Sequence, residues 1–251
     1  MAIHIKSKSE IEKMRKAGNL VARTHKLIEQ QIKVGVSTFE LDQIAESFIK
    51  ENGATPSFKG YHGYPGSICA SVNDEVVHGI PSKDILLKVG DIISIDIGAY
   101  LNGFHGDAAR THRVGAVSDG ANKLIEVTKQ SFYEGLKFVR AGNYLHEISA
   151  AIQTYVEANG FSVVRDLVGH GIGSEMHEEP HIPNYKPVGR GPRLQAGMVL
   201  AIEPMVNIGK YDVRVLKDDW TIVTLDGSLS AHYENTVLVT DDGYELLTIC
   251  Q

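Results

Sequence analysis

Two stretches of this sequence repeat each other at an offset of 107 residues, and that spacing favours a fold built twice from one unit. Gly35, Glu40, Leu41, Asn52 and Gly53 meet Gly142, Glu147, Ile148, Asn159 and Gly160. The same offset lays VGDIISIDI, from Val89, on AGMVLAIEP, from Ala196, glycine on glycine, and puts Glu203 on Asp96. Chance matching of short segments is the alternative. The equal gap lengths favour two similar α/β halves, about 1–110 and 111–251, with a shared site between them. No linker or low-complexity segment separates the halves, so the expectation is one compact unit spanning 1–251.

The two acids placed on each other by the repeat lie where nothing apolar explains them. Asp96 sits inside Ile92, Ile93, Ser94, Ile95, Asp96, Ile97, a run that reads as a buried strand rich in β-branched residues. A buried, unpaired carboxylate is costly, so a cation partner is expected. Asn102-Gly103 is the signature of a two-residue hairpin loop with positive φ at both central positions. Leu101 then faces Phe104, Asp107 comes opposite Gly98, and Asp96 and Asp107 become diagonal neighbours roughly 7 Å apart at the backbone. Two carboxylates closing on one face repel unless metal ions lie between them. The plain alternative is a solvated hairpin end with two surface aspartates.

Elsewhere the pattern is helical. Ser9-x-x-Glu12 reads as a capping box opening a helix to about Gln31, with Ile11, Met14, Val21 and Ile28 as its stripe. A second box, Ser37-x-x-Glu40, opens a helix that Asn52-Gly53 closes. Residues 54–80 read as loop and short strand. Further helices are predicted from about Asn122 to Val139 and from about Leu145 to Asn159.

Composition excludes several classes. No apolar run is long enough to span a bilayer, and the N-terminal MAIHIKSKSEIEK lacks the apolar core of a secretion signal, which predicts a cytoplasmic protein. Cys69 and Cys250 are the only cysteines, consistent with a reducing compartment and too few for a thiolate zinc site. With 31 acids against 25 bases the net charge is -6, which argues against general attraction to nucleic acid. Lys6, Lys8, Lys13, Arg15 and Lys16 read as the wet face of a helix, with contact to a ribosome as the lesser alternative.

Asp96, Asp107, His170, Glu203 and Glu234 supply one imidazole and four carboxylates, a donor set suited to manganese, iron(II), cobalt or zinc. Four carboxylates also balance two divalent cations in charge. Two apparent motifs fail on physical grounds. His177-Glu178-Glu179-Pro180-His181 spells the zinc-protease string, yet that chemistry needs a continuous helix and Pro180 interrupts it. The glycines of GHGIG have neither dinucleotide nor phosphate-loop spacing and instead allow close packing around His170. His78 and His177 are candidates to hydrogen-bond a substrate amide or a developing oxyanion. Tyr61, Tyr64, Cys69 and Trp220 are candidates to line an apolar pocket, against ordinary packing as the bland reading.

The series GYHGYPGSICASVNDEVVHGIP, DIGAYLNGFHGDAAR, GHGIGSEMHEEP, AIEPMV and HYENTVLVT resembles the type I methionine aminopeptidases of bacterial length. The resemblance runs from the first helix almost to Gln251. It implies the pita-bread fold, in which two pseudo-symmetric α/β halves carry helices outside a curved, mainly antiparallel sheet, as a single catalytic domain. It also implies a metalloaminopeptidase that removes initiator methionine when the second residue is small. Asp96, Asp107 and Glu234 would hold one metal, and Asp107, His170, Glu203 and Glu234 the other. Glu203 would act as general base, His177 would stabilise the tetrahedral intermediate, and His78 would contact the scissile amide. The methionine side chain would lie among Tyr61, Tyr64, Cys69, His78, Met176 and Trp220. The substrate's free amino group would coordinate a metal.

Two positions depart from the resemblance. Met176 stands where some members carry phenylalanine, and Gly98 where others carry threonine, which removes a possible hydroxyl beside Asp96. The implied partners are peptide and nascent-chain N-termini and possible contact with a ribosome, with a monomeric protein and no membrane. The rivals are a proline-directed aminopeptidase of the same fold, whose members carry an extra N-terminal domain, and a non-catalytic binding protein, which would have lost metal ligands.

Overall fold

In the computed structural model, which describes residues 2–250, alternating isoleucines and paired amphipathic helices set the architecture. Helices α1 (Lys8–Gln31) and α2 (Thr38–Glu51) precede strands β1 (Thr55–Pro56), β2 (Cys69–Val72), β3 (Glu75–Val77), β4 (Ile92–Leu101) and β5 (Phe104–Arg113). Helices α3 (Asp119–Leu136) and α4 (Leu145–Ala158) follow, with β6 (Ser162–Val163), β7 (Val168–Gly171), β8 (Glu178–Pro183), β9 (Val199–Ile202) and β10 (Met205–Asn207). The chain ends with β11 (Val213–Val215), β12 (Ile222–Thr224), β13 (Ser230–His232), β14 (Asn235–Val239) and β15 (Tyr244–Leu246).

Every strand pair among the described residues is antiparallel. One sheet joins β1 and β2 to β4, with β5 along the other edge of β4. A second runs β15-β14-β9-β7-β8, and two smaller ones run β13-β10-β6 and β11-β12-β3. Asn102 and Gly103 take φ of 56° and 88°, and Leu101 pairs with Phe104 and Gly98 with Asp107, the register expected from the turn.

Side-chain alternation divides the interior. Ile93, Ile95 and Ile97 of β4 meet Leu20, Val21, Leu41 and Ile49 of α1 and α2 in one core, leaving Ser94, Asp96 and Gly98 for the opposite face. A second core gathers Leu124 and Phe132 of α3, Ile148 and Ile152 of α4, and Leu200, Ile202 and Val237 of the second sheet. Each fully buried leucine or isoleucine here contributes about 1.5–3 kcal/mol by burial. No helix among the described residues is long and apolar enough to cross a membrane.

Two helix starts differ from expectation. The first capping box is Ser7 with Glu10, not Ser9 with Glu12: Ser7 is extended at ψ 164°, its Oγ accepts from Glu10 N–H, and Glu10 accepts from Ser7 N–H at 2.7 Å. Both serines have a glutamate three residues on. The Lys6 N–H bond to Gly197 O and the Lys6–Glu178 ion pair hold the chain extended as far as Lys6, so the helix opens at the earlier serine. Likewise α3 starts at Asp119 because Ser118 Oγ caps Ala121 N–H, and it ends at Leu136 rather than Val139.

Candidate metal centre and its pocket

Five segments bring the predicted ligands together. Asp96 and Asp107 come from the β4–β5 hairpin, His170 from β7, and Glu203 and Glu234 lie one step beyond the Ile202–Asn235 pair of β9 and β14. Thr236 stitches the two sheets across this point, accepting from Asp107 N–H at 3.0 Å and donating to Asp107 O at 2.8 Å. Ligand atoms of Asp107, His170 and Glu234 lie within 4.8 Å of one another, all on buried residues. His170 Nε2 is 3.6 Å from Glu203 Oε1.

The glycines around His170 are required by space. A Cβ on Gly169 would stand 2.4 Å from Ala201 O, and one on Gly171 would stand 2.2 Å from Glu179 O, so β7 lies directly on its neighbours only without side chains there. The HEEPH segment is strand, not helix, as Pro180 required.

The electrostatics suit cations. Buried oxygens Asp96 Oδ1, Asp107 Oδ1 and Glu234 Oε1 have no hydrogen-bond partner, and no lysine or arginine among the described residues pairs with any of the four acids. Burial pushes Asp96 up to about 7. Burial and then repulsion from Glu234, Asp96 and Glu203 hold Asp107 well above the carboxylate range. Glu203 and Glu234 are raised by burial and then by Asp96. The cation partner that Asp96 demands is therefore not a side chain, and divalent metal fits the orphaned oxygens. His170 fits as well: burial lowers it to about 3, its Nδ1–H donates to Gly171 O at 2.8 Å, and its Nε2 lone pair faces the acids.

A cavity of about 130 Å³ opens on the cluster. All five acids and imidazole candidates line it, as do His78, His177, Tyr61, Tyr64, Cys69, Met176 and Trp220, so the structure unites every residue singled out from the sequence. Tyr64 donates to Gly79 O at 2.9 Å and meets the Trp220 ring edge-on at 5.1 Å. Cys69 pairs with Asp96 across β2 and β4, and burial followed by repulsion from Asp96 raises its thiol. The Tyr61 hydroxyl and His177 Nδ1 are 2.7 Å apart, while the His177 and His170 rings lie 4.2 Å apart. Burial lowers His78 to about 4, with His177 adding to the effect.

Three residues at the site had no sequence signal. Phe58 completes the apolar wall, and Gly98 explains why: a Cβ there would stand 2.7 Å from the Phe58 ring. The space that a threonine would use is thus taken by an aromatic ring. His232 sits behind the acids, 3.7 Å from Glu203 and 4.0 Å from Glu234. Arg110 donates to the backbone carbonyls of Ala109, at 2.7 Å, and Glu234, and to Asn235 Oδ1 at 2.6 Å, and so fixes the strand that presents Glu234.

Comparison with known proteins agrees with this site. The model of metallopeptidase family M24 matches residues 12–241. A methionine aminopeptidase of Clostridium acetobutylicum is 58% identical over 249 residues, 99% of this chain and 100% of that one. Among solved structures, the methionine aminopeptidase of Thermotoga maritima superposes with a TM-score of 0.97 at 46% identity, covering 99% of this chain and 100% of that one. The prolidase of Pyrococcus furiosus superposes at 0.80 with 25% identity, covering 98% of this chain but only 66% of the prolidase. The fold is the pita-bread arrangement that the sequence motifs implied. A family model covering most of the chain, full-length identity of this degree and a buried acid cluster fit for divalent metal lead to one assignment: the chain belongs to metallopeptidase family M24, in its short bacterial-type methionine aminopeptidase branch.

Proposed function

We propose that this chain hydrolyses the first peptide bond of proteins and peptides that begin with methionine and carry a small second residue. The observation that carries the reading is the 130 Å³ cavity, where four carboxylates, buried at Asp107 and Glu234 and half-buried at Asp96 and Glu203, and one imidazole meet an apolar wall. In this reading Asp96, Asp107, His170, Glu203 and Glu234 would hold two divalent ions from among manganese, iron(II), cobalt and zinc. Such ions lower the pKa of a water and stabilise negative charge on oxygen.

The side chains supply the rest. Glu203, whose proton affinity is raised by burial, takes the proton of the attacking water and passes it to the leaving nitrogen. Tyr61 donates to His177 Nδ1, which leaves His177 Nε2–H to meet the carbonyl oxygen as it becomes negative. His78 contacts the scissile amide nitrogen. Tyr61, Tyr64, Phe58, Cys69, Met176 and Trp220 receive the thioether side chain, and flexible Met176 adapts the wall to it. A large second residue would collide with the rim, hence the preference for small ones. The chain acts as one catalytic domain, halves about 1–110 and 111–251, and the backbone bonds that recur at the 107-residue offset support that division. Its natural substrates are nascent chains in the cytoplasm, met as a monomer.

The test uses metal-stripped protein with each ion added back, offered Met-Ala-Ser, Met-Leu-Ser and Ala-Pro-Ser. Metal-dependent release of methionine from the first peptide is expected. Cleavage of Ala-Pro-Ser would move the assignment to the proline-directed enzymes, and no cleavage with any ion would defeat the catalytic reading.

A further inference from the structure

His232 stands beside the acid cluster without lining the cavity that receives the substrate. Strand register puts it there. Met205 pairs with His232 and Ile202 with Asn235, so Glu203 falls opposite Glu234 and His232 becomes the diagonal neighbour of Glu203. Strand β5 fixes the same stretch from another side. His232 N–H donates to Thr111 Oγ1 at 2.9 Å, Thr111 Oγ1 donates to His232 O at 2.9 Å, and Glu234 N–H donates to Ala109 O at 2.9 Å. With its main chain held by β10 and β5, the buried ring has little freedom to leave the acids.

The ring ends in an unanswered nitrogen. His232 Nε2 is buried without a hydrogen-bond partner, 3.7 Å from Glu203 Oε2 and 4.0 Å from Glu234 Oε2. A buried polar atom left in that state is costly. An ionised carboxylate has no proton to give, so a bond between ring and acid requires the proton on Nε2. Of the two acids, Glu203 is the nearer, and its oxygens are already divided: Oε1 lies 3.6 Å from His170 Nε2, while Oε2 faces His232. Asn184 donates to Glu203 O at 3.0 Å and so holds its main chain, but the last torsion of a glutamate is broad and roughly two-fold. A donor behind the carboxylate is what selects one setting of that torsion.

We propose that His232 is the positioning residue of Glu203: in the metal-loaded enzyme its Nε2–H donates to Oε2 and fixes the carboxylate plane, with Oε1 turned to the His170 side. This rests on Glu203 being the base of the proposed peptidase reaction. A closure of less than about 1 Å brings the 3.7 Å separation to hydrogen-bond length. A carboxylate oxygen accepts more than one bond, so Oε2 held in this way still takes the proton of a water.

The experiment has two arms. In the first, nitrogen-labelled histidine rings are followed by magnetic resonance in the zinc-loaded parent chain and in zinc-loaded Glu203→Gln. The expected result is a protonated Nε2 on His232 whose N–H resonance moves in Glu203→Gln. In the second, Met-Ala-Ser hydrolysis is compared among the parent, His232→Gln and His232→Asn, with the ions that support the parent. A glutamine amide nitrogen reaches as far as Nε2, an asparagine amide nitrogen only as far as Nδ1. His232→Asn should lower kcat about tenfold with KM within about twofold, and His232→Gln should return kcat to within about threefold of the parent. An Nε2 without a proton, an N–H resonance unmoved by Glu203→Gln, full activity in His232→Asn, or equal losses in both variants would overturn the proposal. If the parent cleaves no peptide, the peptidase reading is what fails; in that case, or if His232→Asn does not fold, the Nε2 resonance decides whether the bond exists.

Discussion

Residues 35–53 and 142–160 form the same corner twice, and they differ in one instructive way. Gly35 N–H bonds Leu87 O at 2.8 Å, and Gly142 N–H bonds Leu194 O at 2.9 Å, each pair displaced by 107 residues. Leu87 N–H to Val36 O recurs as Leu194 N–H to Asn143 O, and Thr38 to Ile85 recurs as Leu145 to Pro192. Gly90 and Gly197 both take left-handed φ, 95° and 91°. The side chains on this shared backbone diverge. Ser37 Oγ caps α2 by accepting from Glu40 N–H at 3.1 Å. At the matching place Tyr144 offers α4 only its own N–H, to Glu147 at 2.6 Å, and its hydroxyl oxygen accepts from Arg193 at 2.8 Å. Backbone geometry is retained where turns and bonds demand it, while side chains are free to change once each corner is anchored.

The sharpest divergence is at the strand positions 96 and 203, and the largest effect should come from there. Asp96 lies mid-strand, and Glu203 follows the end of β9 just before Pro204. In the proposed reaction Glu203 is the base, and its amide variant cannot accept a proton. Glu203→Gln should lower kcat for Met-Ala-Ser by about 10²–10⁴-fold with the fold intact by circular dichroism. Asp96→Asn removes a ligand but not the base, so excess metal should restore part of its activity and none of the Glu203→Gln activity. Equal rescue of both variants would erase the distinction between the two positions.

The buried faces of the two corners should behave alike. Leu41 and Ile148 are equivalent by the offset, each wholly buried, one in the α1–α2 core and one in the α3–α4 core. Leu41→Ala and Ile148→Ala should each cost about 2–5 kcal/mol in urea unfolding, loss of transfer energy plus a cavity. A difference of more than about 2 kcal/mol between them would show that one core relaxes and the other does not.

Local features of this fold were legible and distant ones were not. The hairpin register followed from Asn102-Gly103 because a two-residue turn fixes its own pairing. That Asp96, Asp107, Glu203 and Glu234 meet at one cavity was foreseeable, because several carboxylates in or beside apolar strands call for a shared cation. The choice of Ser7 over Ser9 depended on Gly197 and Glu178, far along the chain, and no local pattern holds that information. Phe58 was hidden for the same reason: its place in the pocket depends on the empty Cβ position of Gly98, forty residues on. Arg110 could be recognised as a clamp only once β5 and β14 were known to be neighbours.

The smallest expected effect separates the polar sides of the two corners. Glu46 carries ion pairs to Lys50 and, at 2.7 Å, to Lys59, and its equivalent 107 residues on is uncharged Gln153. Hydrogen bonds from Lys50 and then Lys59 hold the Glu46 carboxyl down at about 2, below the ordinary 4.5. A depressed folded-state pKa means that the ionised acid stabilises the fold above pH 4.5 and that this stabilisation is lost as pH falls towards 2. Glu46→Gln should therefore be less stable than the parent chain at pH 7, by under about 1 kcal/mol for pairs near the surface, and the gap should close between pH 4.5 and 2. Gln153 accepts from Lys186 N–H at 2.8 Å and donates to Glu157, so a carboxylate in Gln153→Glu would meet a like charge and should not gain the same pH dependence. Unfolding curves of the three proteins across that range decide it, and a gap that persists at pH 2 would mean that Glu46 acts through packing rather than charge.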